Sequence, residues 1–368
     1  MNNSRRRFLA YAAGLGAGGS IGLADSTASE DRASAAAGFV PSPRTRELLS
    51  FFGLKYPILQ APVGFASGPD LVIAVCRAGA MGSMAFTRAS PEDAKERVKK
   101  VLAATKAPFA VNYILGFEPR SLAAALEAGA PVVQFSWGIP DTQMVALIRS
   151  AGAKFGVQVA SAEGARTALE AGADYLVCQG IEAGGHVQAS SPLLDVLASV
   201  LPVADGKPIF AAGGIANGAG IRRVLAAGAS GAALGTRFVA TEESYAHPDY
   251  KQALLKADVA QTALTVCFEG GWPNAPHRSL RNETFLRWEA AGCPPAGKRP
   301  GEGDVLAKRP DGSAVVRYAA FSPSKAITGD RIRECALHAG LGVGAINDIP
   351  SAGDLVHRLW TECETASV

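Results

Sequence analysis

The tripeptide Ala-Gly-Ala occurs five times in this chain, and each copy lies between a helix-like pattern and an apolar segment. The copies occupy residues 78–80, 128–130, 151–153, 171–173 and 227–229. Glycine after the last turn of a helix adopts the left-handed conformation that ends it, and small flanking residues let that helix pack closely on the next strand. The repeat therefore predicts alternating helices and strands, which is typical of α/β proteins.

Eight apolar segments alternate with eight helical patterns in the middle of the chain. The predicted strands are 57–63, 81–86, 108–115, 132–138, 154–160, 175–178, 208–212 and 231–239, and the predicted helices are 69–78, 90–105, 121–128, 141–150, 161–171, 192–201, 218–227 and 247–256. Eight such units predict an α/β fold, the (β/α)8 TIM barrel. A doubly wound sheet is the alternative, but its glycine loop normally follows the first strand, whereas the glycine pairs here follow the sixth and seventh.

Outside the barrel pattern we expect three further parts. Residues 38–53 form an N-terminal lead-in to a barrel over 54–258. From about Gln261 onwards, glycine and proline interrupt the periodicity, so residues 259–368 are predicted to be a C-terminal extension that packs on the barrel mouth. Short helices are expected there at 283–291, 330–338 and 352–362. The extension is interpreted as a lid, a brace or a dimer contact, and the oligomeric state stays open, with a homodimer as one option.

Residues 1–37 are interpreted as a twin-arginine export signal. Arg5 and Arg6 precede a mildly apolar, Gly/Ala-rich stretch and then a run of small residues. That pathway carries folded proteins, which suits a chain that takes up a cofactor before export. The signal predicts a periplasmic or extracellular protein, and a cytoplasmic one with a chance arginine pair is the alternative.

Composition excludes several function classes. Hydrophobic residues make up 48% of the 368 residues and the net charge is only +3, so the chain is neither disordered nor a nucleic-acid binder. After the N-terminus no apolar run is long enough to span a membrane. The six cysteines form no CxxC pair, which argues against a zinc site, although a disulfide among the last four is an option after export.

Glycine-rich loops after three late strands carry the functional signal. Gly213 and Gly214 follow one strand and Gly235 and Thr236 follow the next, an arrangement that often binds phosphate in barrels. Asn217 opens the following helix, whose positive end would assist an anion. Turn glycines without a ligand are the simpler alternative.

His186 lies in the glycine-rich loop that follows the sixth predicted strand. This loop is at the catalytic end of the barrel, where a histidine can act as a base, an acid or a hydrogen-bond donor. Ordering of the loop is its structural alternative, and Glu182 is assigned only that ordering role. Gln179 ends the sixth strand and can offer amide donors and acceptors to a cofactor ring. Asn112, after Val111 on the third strand, points to the same end of the barrel. The remaining histidines, His247, His277, His338 and His357, have no partner at metal-ligand spacing and are expected at the surface or in the extension; no metal site is predicted.

These residues resemble those of the nitronate monooxygenases, formerly called 2-nitropropane dioxygenases, which are FMN-dependent TIM barrels. The resemblance rests on PILQAPVGFASGPDLVIAVCRAGAMG (57–82), GIEAGGH (180–186), AAGGI (211–215) and GTRFVATEES (235–244). It continues in GWPNAPHRSLRN, RPGEGD and AGLGVGAINDIPSAGDLV of the extension, and so covers most of the chain after about Leu54.

The resemblance implies a role for each matching position. His186 matches the catalytic histidine of the family. The positions that match contacts to FMN are Ala61, Pro62, Val63, Asn112, Gln179, Gly184, Gly213, Gly214, Gly235 and Thr236. In the segment that lies along the flavin, Val63 stands where methionine is common in the family. Two departures bear on the substrate pocket: Val187-Gln188 follow the histidine where relatives often have a small or basic residue and then glycine, and Leu341 stands where glutamine is common.

The activity that the resemblance implies is oxidation of an alkyl nitronate, such as propionate 3-nitronate, or of a nitroalkane, with O2 to a carbonyl compound and nitrite. An FMN-dependent NAD(P)H oxidoreductase of the same superfamily, acting on a quinone or an enoyl thioester, is the closest alternative, because it shares the histidine loop. A flavin-binding electron carrier without turnover and a flavin-free phosphate-binding lyase are alternatives of other classes.

Overall fold

A computed structural model describes residues 39–367. The predicted export signal falls outside these residues and stays a prediction. Within the described part, eight parallel strands form one sheet in the order β1-β9-β8-β6-β5-β4-β3-β2. They are β1 (Ile58–Gln60), β2 (Gly82–Ala85), β3 (Phe109–Ile114), β4 (Val132–Ser136), β5 (Lys154–Val159), β6 (Tyr175–Gln179), β8 (Ile209–Ala212) and β9 (Gly231–Leu234), while β7 (Gly185–His186) lies outside this sheet.

The sheet closes on itself between its first and last strands. A parallel bridge joins Leu59 of β1 to Met81, directly before β2, and the Gln60 amide donates to the Met81 carbonyl at 2.8 Å. The fold is therefore the predicted TIM barrel, and the carboxyl ends of all eight strands meet at one face. In such barrels the loops at this face build the site.

Helices follow the strands as the Ala-Gly-Ala repeat predicts. They are α1 (Pro43–Phe52), α2 (Pro69–Arg77), α3 (Pro91–Ala104), α4 (Leu122–Glu127), α5 (Thr142–Ser150), α6 (Ala162–Glu170), α7 (Leu193–Val200), α8 (Gly218–Ala226), α9 (Thr236–Val239) and α10 (Pro248–Leu255). The central glycine of every copy of the repeat has a positive φ, between 68° and 100°. Each copy thus ends a helix in the left-handed conformation that only glycine adopts without strain.

The lead-in contains a helix that the sequence analysis missed. Helix α1 begins after Ser42, whose hydroxyl accepts the Thr45 amide, and ends at Gly53. Its Phe52 ring lies 5.3 Å from the Tyr175 ring and 6.2 Å from that of Phe210. Since Tyr175 and Phe210 lie at the amino ends of their strands, α1 covers the end of the barrel opposite the loops.

Residues 259–367 contain β10 (Thr262–Thr265), β11 (His277–Leu280), α11 (Glu283–Ala290), β12 (Val305–Lys308), β13 (Ala314–Val316) and α12 (Ala352–Thr365). Strand β11 pairs with both β10 and β7, so this region adds a small antiparallel sheet to the loop after β6. The domain boundary at 258/259 itself stays a prediction.

Two predicted elements were wrong. The strand predicted over 231–239 stops at Leu234, and Thr236–Val239 form a short helix instead, because Gly235 turns the chain away from the sheet. The helix predicted over 330–338 is reduced to a single turn at Ile332–Glu334. The apolar spacing of this segment fits a helix, but its backbone instead forms hydrogen bonds with residues far away in the sequence. One example is the bond that the Leu280 amide donates to the Leu337 carbonyl.

The described residues contain no disulfide and no helix that could span a membrane. All six cysteines are free, only Cys293 is exposed, and burial raises the pKa of the Cys178 and Cys267 thiols to about 12. They therefore behave as small apolar side chains. None of the helices within residues 39–367 has the length and hydrophobicity needed to cross a bilayer.

Candidate active site

A cavity of about 320 Å³ lies at the carboxyl ends of the barrel strands. All eleven residues singled out from the sequence line it. They are Ala61, Pro62, Val63, Asn112, Gln179, Gly184, His186, Gly213, Gly214, Gly235 and Thr236. The fold thus brings the predicted set together at one place, while the role of each residue stays a prediction.

The two glycine loops form a wall made largely of backbone. Gly213 and Gly214 have φ values of 136° and 67°, which other residues rarely adopt, so glycine is needed there for the turn. A Cβ atom built on Gly235 would lie 3.3 Å from a methyl carbon of Val63, so the loops after β1 and β9 approach each other closely. A wall of this kind lets backbone N–H groups reach an anionic group.

Gly184 is a glycine for a different reason, because the extension packs directly on it. A Cβ atom there would lie 2.7 Å from the carbonyl carbon of Ala339 and closer still to the Gly340 nitrogen. The Gly340 amide donates to the Thr236 hydroxyl at 3.0 Å, and the Leu341 amide donates to the Glu182 carbonyl at 2.9 Å. The segment around Gly340 therefore fastens the late loops to each other.

The expected contribution of the positive end of α8 needs a correction. Asn217 is its N-cap, accepting the Gly220 amide at 2.9 Å, as the sequence suggested. The Gly218 amide, however, donates to the Glu362 carboxylate at 2.8 Å. Because Glu362 of α12 already binds the first amide of α8, binding of an anion in the cavity would depend on the N–H groups of the loops rather than on this helix end.

Asn112 lies beside a second amide that sequence reasoning missed. Its Oδ1 accepts from Nε2 of Gln134, the third residue of β4, at 3.2 Å. Oε1 of Gln134 is buried and has no hydrogen-bond partner among the described residues. A buried, unpaired carbonyl costs about 1–3 kcal/mol, so its presence in the cavity wall indicates a position for a ligand N–H or O–H donor. The signal available was its place on an inward-facing strand position.

Gln179 mainly holds the histidine loop. Its Oε1 accepts the Gln188 amide at 2.7 Å, and its Nε2 donates to the His186 carbonyl at 3.2 Å. The Gln188 side chain in turn accepts from Gln158 at 2.5 Å and from the Trp137 amide at 3.3 Å. The departure from the family pattern at Gln188 is therefore a structural contact, and Gln179 keeps one N–H for another partner.

Glu182 orders the same loop, in agreement with the role assigned to it. Both of its carboxylate oxygens accept the Leu193 amide, at 2.9 and 3.1 Å, which places a negative charge at the amino end of α7. Arg278 lies close enough to interact electrostatically with it, and donates to the Ile181 carbonyl at 2.9 Å.

His186 lies between aromatic rings. Its imidazole stacks on the Trp272 indole with centroids 4.0 Å apart and an interplanar angle of 25°, and the centroid of the Trp137 ring lies 6.3 Å away at a nearly perpendicular angle. The Nε2 atom is buried and has no hydrogen-bond partner in residues 39–367. Burial, together with the nearby His338 and His277, lowers the pKa of His186 to about 2, so its imidazole is neutral near pH 7.

Two histidines of the extension, to which the sequence assigned no role in the site, surround His186. The His277 and His338 rings lie 5.3 and 5.6 Å from it, because β11 pairs with β7 and the segment before Gly340 lies against both. His247 instead caps α10, and His357 is exposed. The GWPNAPHRSLRN motif was a signal for His277 and Trp272, but only pairing of distant segments placed them beside His186.

Both neighbouring histidines have a defined tautomer. Nε2 of His277 accepts the Phe268 amide at 3.1 Å, so its Nδ1 carries the proton and donates to the Ala275 carbonyl at 2.9 Å. Burial lowers the pKa of His277 to about 3. Nε2 of His338 donates to the Ala320 carbonyl at 3.1 Å, which leaves its buried Nδ1 as an unpaired acceptor, and burial lowers the pKa of His338 as well.

Three histidine rings in contact do not make a metal centre here. No group of three metal-ligating side chains with suitable geometry occurs within the described residues. The cluster is better understood as three neutral imidazoles, two held by backbone bonds and one, His186, whose buried Nε2 has no partner among the described residues.

Comparison with known proteins gives consistent results. A family model described as nitronate monooxygenase matches residues 45–118 and 114–362. A nitronate monooxygenase of Pseudomonas aeruginosa is 33% identical over 298 residues, which cover 68% of this chain and 84% of that protein.

Two solved structures resemble the chain about equally. The nitroalkane oxidase of Streptomyces ansochromogenes has a TM-score of 0.70 and 33% identity, covering 86% of this chain and 97% of that one. FabK from Thermotoga maritima has a TM-score of 0.71 and 27% identity, covering 86% and 95%. With the family match extending over most of the barrel and the extension, this chain belongs to the nitronate monooxygenase family, a family of oxidoreductase enzymes.

Proposed function

We propose that this protein oxidises alkyl nitronates, such as propionate 3-nitronate, with O2 to a carbonyl compound and nitrite, and that it uses FMN to do so. The observation that carries the proposal is the unpaired, buried Nε2 of His186 in the same cavity as the two glycine loops. One cavity thus combines a place for a phosphate with an imidazole that has an unpaired nitrogen.

The residues present fit FMN. The backbone wall at Gly213, Gly214 and Gly235 suits the phosphate. The unpaired Oε1 of Gln134 suits an N–H of the flavin ring system, with Asn112 beside it. Ala61, Pro62 and Val63, in the loop that follows β1, offer a smooth apolar surface to a flat ring.

FMN, when bound, supplies the electron-transfer chemistry that amino-acid side chains lack. The protein's part is to hold the nitronate and to handle its charge. In its Nε2–H tautomer, a neutral His186 donates a hydrogen bond to a nitronate oxygen through the unpaired Nε2, and the anion, by its charge, raises the pKa of the imidazole. With a neutral nitroalkane, the same neutral imidazole can accept the proton on the α-carbon.

Aromatic residues keep water away from this point. Trp272 covers one face of the His186 ring and Trp137 lies against its edge. Exclusion of water strengthens the hydrogen bond from His186 to an anion and limits side reactions of the oxidised substrate. The substrate end of the cavity thus combines a polar contact with apolar walls.

An anaerobic absorbance titration of the purified protein tests the proposal. Nitronate alone is expected to change the flavin spectrum, and O2 is expected to restore it with release of nitrite. The parent nitroalkane, held below its pKa, serves as the matched control for the ionised substrate. Reduction by NADH and not by nitronate would instead assign a reductase, an outcome that the equal likeness to FabK makes worth measuring. A protein that takes up no flavin would overturn both.

A further inference from the structure

We propose that Arg88 forms an anion-binding subsite at the mouth of the cavity, and that it binds the terminal carboxylate of nitronates whose carbon chain is long enough to reach Arg88 from His186. The inference rests on the proposed function for the reacting end of the substrate. It concerns a residue to which neither the sequence motifs nor the comparisons assign a role.

A row of rings leads from His186 to Arg88. The His186 ring is 4.0 Å from Trp272, the Trp272 ring is 5.2 Å from Phe117, and the Arg88 guanidinium carbon is 4.9 Å from the Phe117 centroid. All four residues line the cavity. A substrate that reacts at His186 can therefore lay an apolar chain along Trp272 and Phe117 and reach the guanidinium.

The Arg88 guanidinium contacts an aromatic ring and a backbone carbonyl, neither of which carries a negative charge to balance it. It lies over the Phe117 ring, and its terminal nitrogen donates a long bond of 3.4 Å to the Gly271 carbonyl. No carboxylate pairs with Arg88 among residues 39–367. The other charged residues of the cavity wall, Arg97 and Asp93, form an ion pair with an N–O distance of 2.7 Å. Arg88 therefore gives the mouth of the cavity one net positive charge.

The loop that carries Arg88 is well anchored. The Ala89 amide donates to the Phe86 carbonyl at 2.9 Å, and the Thr87 hydroxyl accepts the Ile114 amide at 3.0 Å. These bonds fix the backbone on both sides of Arg88, so binding an anion there costs little ordering of the loop. A planar guanidinium on a fixed loop suits a carboxylate, which it can bind through two parallel hydrogen bonds.

Steady-state kinetics with paired substrates tests the subsite. The nitronates of 3-nitropropanoate, 5-nitropentanoate and 7-nitroheptanoate are compared with neutral alkyl nitronates of equal length. In the parent enzyme we expect KM to be lower for the carboxylate nitronates than for the neutral ones, most clearly for the longer chains. Arg88→Met is expected to raise KM for the long carboxylate nitronates about tenfold and to change KM for the neutral nitronates little. Arg88→Lys is expected to restore part of the difference, and higher salt to weaken it.

The matched control is Arg166→Met, which removes an exposed arginine of α6 that lies outside the cavity wall. It is expected to leave both series unchanged. Equal KM values for the two series in the parent enzyme, or the same change in Arg88→Met and Arg166→Met, would overturn the subsite while leaving nitronate oxidation intact.

A binding measurement separates this outcome from failure of the proposed function. Heptanoate and heptanamide are titrated against the holoenzyme, with tryptophan fluorescence from Trp272 and Trp137 as the signal. Tighter binding of heptanoate, lost in Arg88→Met, supports the subsite even for a protein that oxidises no nitronate. Equal affinity for acid and amide contradicts it.

Discussion

Around the glycine loops the cavity wall consists of backbone and small side chains, whereas around His186 it consists of aromatic rings and imidazoles. The first region is built by loops of the barrel itself, with Gly213, Gly214 and Gly235 close to Val63. The second needs the extension, which supplies Trp272, His277 and His338. The proposed cofactor end is therefore built mainly by loops of the barrel, which the Gly340 segment of the extension fastens together, whereas the substrate end takes most of its rings from the extension.

This difference has a chemical consequence. A backbone wall offers N–H groups whose charge state does not change with pH, while the histidine cluster depends on exclusion of water to stay neutral. Burial lowers the pKa values of His186 and His277 to about 2 and about 3, and Trp272 of the extension covers one face of His186. Substitutions at the two ends should therefore have separable effects, which the following predictions use.

The largest effect is expected for His186→Ala. Loss of the open imidazole should lower kcat/KM for nitronates by about 10²–10⁴, because a positioned proton-transfer group contributes that much. Flavin binding should change little, since the glycine loops lie in the other region. Nitrite release and flavin absorbance measure the two quantities. His357→Ala, which alters an exposed histidine, is the control, and full turnover by the His186 variant would refute the role of this residue.

Gly184→Ala tests the junction between the two regions. The added methyl group meets the backbone of Ala339 and Gly340, so we expect a loss of about 1–3 kcal/mol in unfolding free energy and weaker retention of flavin. Gly353→Ala is the matched control, because Gly353 lies in the first turn of α12 and its Cβ would lie 3.9 Å from its nearest neighbour, an ordinary van der Waals contact, so the added methyl group should be tolerated. Urea unfolding that ranks both variants alike would contradict this packing.

The pH dependence of stability tests the histidine cluster. The pKa of His277 is lowered to about 3 in the folded protein, against about 6.5 in the unfolded chain. Below pH 6.5 the unfolded chain binds a proton at this histidine that the folded chain does not bind. The contribution of the neutral histidine to the free energy of unfolding is therefore fully present above that pH and is lost as the pH falls. In His277→Gln the fall in the free energy of unfolding should be smaller by about 1.4 kcal/mol per pH unit. Urea unfolding between about pH 6.5 and pH 5 measures it; the control, His357→Gln, should keep the parent slope, and an unchanged slope in His277→Gln would argue against a neutral, buried His277.

The smallest effect is expected for Asn217→Ala. Loss of the N-cap should cost about 1 kcal/mol in unfolding free energy. Flavin affinity should stay the same, because the Gly218 amide is already bound by Glu362 and the anion relies on the loops. Thermal unfolding and flavin titration measure the two effects, and a marked loss of flavin would restore the helix end as part of the phosphate site.

Local patterns were enough to predict the barrel. Glycine in each Ala-Gly-Ala copy ends a helix by its own backbone preference, and strands follow at short range, so both can be read from neighbouring residues. The predicted strand beyond Leu234 and the predicted helix at 330–338 were wrong because distant contacts, not local spacing, set the chain direction there. The helix α1 was missed although local signals mark both of its ends, the Ser42 N-cap and Gly53. Only its packing on Tyr175 and Phe210 shows which end of the barrel it covers.

The sequence by itself determined the alternation of strands and helices, the glycine turns and the collection of His186 with those glycines at one face, since parallel strands direct their carboxyl ends to the same side. Only the tertiary structure decided the surroundings of His186. Pairing of β11 with β7 brings His277 next to it, and the Trp272 ring stacks on it. Burial and ring contacts between segments far apart along the chain set the charge state of that histidine, and such contacts leave no local pattern.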